Sequence, residues 1–212
     1  MDGLMIDGTD LLEDYGYDIE SITVRTAPTP KTKYIDITGM DGSLDYTEQD
    51  GYVSYKSGTM VIKVSKLANM DEHYQIMPVL KRICHGKKCK IIVPYDQEYY
   101  LLGRISLKES CDGYWSSAEL TITHEPYRYK IKPTVREKQV SGSAELICRN
   151  LGMIALPVIN CSAAMTVTFN KKTYNLVVGE NQIDEIILLA GDNRLTFSGT
   201  GKVTVTYQEG WL

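Results

Sequence analysis

The sequence has no apolar run near the roughly 18 residues that a membrane-crossing helix needs; its longest is Ile186-Ile187-Leu188-Leu189-Ala190. It has no GxxxxGK(S/T), GxGxxG or HExxH pattern, so nothing marks a P-loop, a dinucleotide fold or a zinc protease. The start, MDGLMIDGTDLLEDYG, lacks a basic stretch and an apolar core, and does not read as a secretion signal. Excess positive charge is also missing. With 23 Lys+Arg against 27 Asp+Glu and a pI near 5.5, a basic nucleic-acid binder, usually above about pI 9, is excluded on composition. Five cysteines, an odd number without a CxxC, point to free thiols in a reducing cytosol. Phenylalanine is scarce, at 2, whereas tyrosine, at 15, is abundant. Tyrosine joins an apolar body to a hydroxyl and suits strands and wet interfaces.

What is present is alternation. Met60, Ile62 and Val64 share one side of 59–64; Leu120 with Ile122, the run 165–169 and the run 202–207 repeat the period-two pattern of half-buried strands. Less regular strand candidates are 19–26, 33–38, 89–93, 99–108, 128–131, 143–148, 173–178, 183–189 and 194–198. Asp41-Gly42, Asp50-Gly51, Asn170-Lys171-Lys172, Gly191-Asp192-Asn193 and Gly199-Thr200-Gly201 read as turns between them. Many short strands with glycine-bearing turns predict an antiparallel sandwich or barrel.

Residues 69–88 break this pattern. Asn69 and Glu72 have capping-box spacing, Ile76, Leu80 and Ile83 fall on one face, and Gly86 is placed for a left-handed cap. Pro78 predicts one kinked helix or two short turns. The charged stretch 131–143, with Pro133, Gly142 and no apolar alternation, reads as a boundary between domains 1–135 and 136–212. The first fifty residues hold 12 acids against Arg25, Lys31 and Lys33, so the chain is electrically lopsided.

No constellation converges on catalysis. Cys84-His85-x3-Cys89 supplies three potential metal ligands where structural zinc takes four, and a buried face, a strand and a helix end account for them more simply. The cysteines and His73, His85 and His124 hold no locally activated thiol pair. Asp36, Asp41, Asp45, Glu48 and Asp50 do not follow a calcium-loop spacing, and no carboxylate pair is singled out for glycoside chemistry. Lys87, Lys88 and Lys90 form a basic knot readable as a solvated hairpin or a phosphate contact. Tyr114-Trp115 after Asp112-Gly113 places an aromatic pair on a turn, which suits a sugar or a protein interface. The residues therefore read as a binding or assembly protein, not an enzyme, with no cofactor and no metal.

Four blocks in order resemble one family. They are LEDYGYDIESITVRTAPTPKTKYIDITG (12–39), GMDGSLDYTEQDGYVSYKSGTMVIKV (39–64), LKRICHGKKCKIIVPYDQEYYLLGRI (80–105) and ELTITHEPYRY (119–129). The ending GDNRLTFSGTGKVTVTYQEGWL (191–212) is similar as well. Together they resemble the distal tail proteins of long non-contractile-tailed (siphovirus-like) bacteriophages. Lys56-Ser57-Gly58 departs from the family's usual arginine there, and residues 141–190 carry no resemblance.

The resemblance implies a mainly β chain. Its first domain would be a tail-tube-like β-barrel or sandwich with one packed helix, and its second a small, outward-facing, galectin-like or carbohydrate-module-like sandwich. It also implies a structural role: a ring, usually of six, at the virion's tail tip, assembled in the bacterial cytoplasm. Such a ring would join the major tail tube protein to the tail-tip (tail-associated) protein and carry receptor-binding proteins, without a membrane. DNA would pass through its centre. Six copies at −4 give a ring charge of about −24, which repels phosphate. Asp41, Gly42, Leu44, Asp45 and Asp50 are the interface or channel candidates, and Tyr114 and Trp115 the aromatic contact. A carbohydrate-binding host-attachment module and a tail-tube or tube-terminator subunit are the competing readings.

Overall fold

The computed structural model describes residues 3–23 and 25–212. In chain order the elements are β1 (Met5–Ile6), β2 (Thr9–Asp10), α1 (Leu11–Tyr15), β3 (Asp18–Ile22), β4 (Tyr34–Asp36), β5 (Ser43–Asp45), β6 (Gly58–Leu67), α2 (Met70–Cys84), β7 (Lys88–Ile92) and β8 (Tyr99–Cys111). They continue with β9 (Trp115–Lys130), β10 (Thr134–Asn150), β11 (Val158–Cys161), β12 (Met165–Phe169), β13 (Lys172–Leu176), β14 (Gly179–Gln182), β15 (Gly191–Tyr207) and β16 (Gly210–Trp211). The chain is mainly β, as the alternation predicts. Two compact units are present, one ending at Arg128 and including Leu212, the other spanning Tyr129–Trp211.

The first unit is built on a sheet in the order β2-β1-β7-β8-β9-β6-β3. Met60, Ile62 and Val64 on β6 and Leu120 and Ile122 on β9 are buried in one core, as their alternation requires. Helix α2 packs there. Its capping box is formed in both directions: Asn69 Oδ1 accepts from the Glu72 N–H at 2.9 Å, and Glu72 accepts from the Asn69 N–H at 3.3 Å. Asn69→Ala removes a cap worth about 1 kcal/mol. A drop of about 3 °C in the thermal midpoint is the expected result, read by circular dichroism.

The helix is continuous through Pro78 rather than divided. Its buried residues are His73, Met77, Leu80 and Cys84, while Ile76 and Ile83 lie at the margin. The burial stripe is thus rotated from the face that the branched aliphatics mark. A second, five-residue helix, α1, adds to the one helix expected; Asp10 caps its start and left-handed Gly16 its end.

The second unit is a sheet folded on itself. β10 and β15 pair over seventeen residues, from Thr134↔Tyr207 to Asn150↔Gly191. The far half of β15 also pairs with β11, and the near half with β12, so the order reads β13-β12-β15-β11-β14. Both halves feed one core, with Ile159, Val167, Phe197 and Val205 within it.

Three sequence readings change here. The stretch 131–143, read as a boundary without strand pattern, is strand β10 from Thr134 onward, held by its ladder to β15 rather than by apolar alternation. Gly199-Thr200-Gly201 is not a turn but the middle of β15. A Cβ on Gly199 would stand 2.7 Å from the Met165 Cβ, so the glycine marks close approach. The run 183–189 forms no strand, yet Ile186 and Leu188 still enter the core. Asn170-Lys171 is a true turn: both residues take positive φ, 48° and 66°, as a two-residue hairpin loop demands.

Candidate assembly surface

Between β3 and β6 the chain leaves the first sheet as an arm. Its base is tied by Pro30↔Tyr55 and by the Lys31 N–H to Ser54 carbonyl bond, 2.8 Å. Farther out β4 and β5 pair as Tyr34↔Asp45, Ile35↔Leu44 and Asp36↔Ser43. Every residue from 31 to 46 is exposed.

Strand alternation gives this hairpin two faces. Ile35 and Leu44, cross-strand partners, are 42% and 36% exposed on one of them. Tyr34, Asp36, Ser43 and Asp45 share the other. Asp36 accepts from the Ser43 hydroxyl at 2.6 Å. Asp45 accepts from the Thr47 N–H at 2.8 Å, and those bonds to Thr47 hold its carboxyl below the usual range. Ile37, Met40 and Tyr46 add exposed apolar area. A monomer seldom leaves such a surface uncovered without a partner for it.

The candidates selected from sequence divide accordingly. Leu44 lies on the apolar face and Asp45 on the acidic one. Asp41 and left-handed Gly42 form the tip, and Asp50 precedes left-handed Gly51 in a second turn. Among the described residues no three His, Cys, Asp or Glu side chains converge to hold a metal.

The other constellations are engaged elsewhere. Cys84 is buried and donates to the Leu80 carbonyl, and burial pushes its thiol up to about 11. Burial first, and Asp7 next, push Cys89 up to about 12. His85 Nδ1 accepts from the Leu107 N–H at 3.0 Å. In the basic knot Lys88 pairs with Glu125, while Lys90 stacks 5.0 Å from the Tyr100 ring centre. Tyr114 and Trp115 stand on the β8–β9 turn, 76% and 50% exposed. Leu67, Trp115's partner across the sheet, is exposed too.

Two features have no sequence signal. Ser116 Oγ, fully buried, lies 2.5 Å from Tyr17 Oη and 2.6 Å from His73 Nδ1, joining residues 99 and 43 positions apart. His124 is also buried; its Nδ1–H donates to the Glu125 carbonyl, and its ring presses on Gly58 so closely that a Cβ there would meet Cε1 at 2.5 Å.

Burial lowers the His124 pKa below 6.5, outweighing that hydrogen bond, and the Arg25 charge adds to the lowering. The unfolded chain therefore binds this proton first as pH falls. His124 stabilises the fold above about pH 6.5 and loses that contribution below it. The expected result is a thermal midpoint that falls between pH 7 and pH 5, and falls less in His124→Gln.

No protein-family model and no curated protein matches the sequence. Among solved structures, the chain superimposes on the crystal structure of SPP1 Dit (gp 19.1), described as a paradigm of the hub adsorption apparatus in Gram-positive infecting phages. The TM-score is 0.67 over 99% of each chain, at 15% identity. The chain has the Dit fold. The mainly β, distal-tail-like fold that the four sequence blocks imply is therefore the fold observed, and the Dit likeness extends across residues 141–190, where the sequence resembles nothing. At this identity the fold persists while nearly all side chains differ.

Proposed function

We propose that this chain is a distal tail protein: a structural component of the tail tip of a long-tailed phage, without catalytic activity. It forms a ring, of six copies, between the tail tube protein and the tail-tip proteins. The observation that carries this reading is the two-faced arm, joined to the hub fold of SPP1 Dit. The apolar face with Ile35 and Leu44 is covered by the neighbouring subunit in the ring. Each subunit then uses two different faces, a contact that closes by rotation. The exposed patch of Leu67, Met70, Tyr74, Tyr114 and Trp115 contacts an axial tail partner.

With the apolar face covered, the acidic face turns to the axis. Asp36 and Asp45 of that face, and Asp50 of the second turn, then line the DNA passage and repel phosphate, since attraction grows with the cations along a path. Reversing Asp45 and Asp50 to lysine is expected to slow DNA ejection several-fold, measured by dye uptake after receptor triggering. Unchanged kinetics would remove the acidic passage. Immunogold labelling tests the wider reading. Gold at the far end of the tail is expected, whereas gold on the capsid or along the shaft would refute it.

A further inference from the structure

A second feature of the first unit answers the arm. A groove of about 550 Å³ opens where the ends of β3, β7 and β9 meet the turn before β8. Ile22 and Ile91 give it apolar lining, Tyr95 and Tyr99 aromatic lining, and two guanidiniums, Arg25 and Arg128, line it as well. Arg128 donates through Nη1 to Asp96 at 2.9 Å and stacks 4.7 Å from the Tyr99 ring centre. Arg25 donates through Nη2 to the Pro126 carbonyl.

In both arginines Nε is buried with no hydrogen-bond partner. A desolvated donor of a charged group is costly to leave without an acceptor. Burial first, and the Arg128 charge next, lower the Arg25 pKa, so the two like charges feel one another. Asp96 is the one acid among the lining residues set against them. Two guanidiniums against one acidic side chain, with Ile22, Ile91 and Leu212 as apolar lining, complement an acidic segment that carries apolar bulk.

The arm has both. Residues 34–55 hold five acids, Asp36, Asp41, Asp45, Glu48 and Asp50, and no base. Asp36 and Asp45 are held within the hairpin. Asp41 stands at the tip between left-handed Gly39 and Gly42, beside exposed Met40 and near exposed Ile37. From the base pair at Pro30 to Asp41 an extended chain spans up to about 35 Å, enough to reach an adjacent subunit.

We propose that the groove lined by Arg25 and Arg128 receives the arm tip of a second copy of this chain, its Asp41 carboxylate accepting from the two guanidiniums while Met40 and Ile37 cover Ile22 and Ile91. The inference rests on the ring reading and names the two faces that meet. Arginine–carboxylate pairs in a dry groove are strong and directional, which fixes the angle between neighbours.

Two variants test it without disturbing the core, since Asp41 and Tyr95 are both exposed. Asp41→Arg is expected to weaken self-association at least tenfold, read by native mass measurement over a dilution series. In Asp41→Cys/Tyr95→Cys, mild oxidation is expected to give a ladder of covalent oligomers up to the ring, which neither single variant gives. Rings that assemble normally with Asp41→Arg, or that form no Asp41→Cys/Tyr95→Cys ladder, overturn the groove and leave the ring reading intact. A chain that stays monomeric at every concentration, with the tail tube protein present as well as absent, overturns both.

Discussion

Replacing Ile35 and Leu44 together by aspartate is expected to abolish ring formation while leaving the fold unchanged. Both side chains are exposed in the single chain, so no core contact is lost and the stability change stays within about 0.5 kcal/mol. In the ring the same two residues are the apolar face of the arm. Each contributes about 1.5 kcal/mol or more when covered, and a carboxylate in its place adds a desolvation cost. A loss of at least 3 kcal/mol per contact lowers association by more than about 100-fold. Light scattering then reports a single chain of 23.9 kDa, with an unaltered circular dichroism spectrum. Replacing Tyr34 and Ser43 on the opposite face by alanine is the matched control, and rings persist.

The second large effect belongs to stability. Ser116→Ala leaves the Tyr17 hydroxyl and the His73 nitrogen buried without their shared partner. Each unsatisfied group costs about 1–3 kcal/mol, so a loss of about 2–4 kcal/mol is expected, a fall of roughly 5–12 °C in the thermal midpoint. Tyr17→Phe in the same background removes one orphaned group and recovers part of the loss, so the two changes are non-additive. Additive losses would show that the three residues do not act as a chain. Burial also raises the Tyr17 pKa. Its contribution is therefore complete below pH 10 and is lost as pH climbs above that.

How far the sequence disclosed the molecule depended on the range of the signal. Helix α2 was legible because its N-terminal capping box is local, Asn69 and Glu72 lying within its first turn; at the other end His85 is the cap, and left-handed Gly86 gives its N–H to the Ile105 carbonyl instead of closing the helix. Its buried stripe was not, because His73 is buried on account of Ser116, a residue from another strand. β10 and β15 were read as fragments because glycine signals both turns and close approach, and only the neighbouring Met165 decides between them at Gly199. The acids of the arm were visible one by one. The separation of Asp36 and Asp45 from Leu44 onto the opposite face required the register Tyr34↔Asp45, which no local pattern supplies. The groove with Arg25 and Arg128 joins residues about a hundred positions apart and left no local trace.

The ring depends on an arm whose uncovered face is met by another copy. Imaging the purified protein by negative stain, with native mass measurement of the same sample, tests this most directly. Closed six-fold rings of about 143 kDa, six times 23.9 kDa, are the predicted result. Particles of one chain at every concentration, with the tail tube protein present as well as absent, would contradict it.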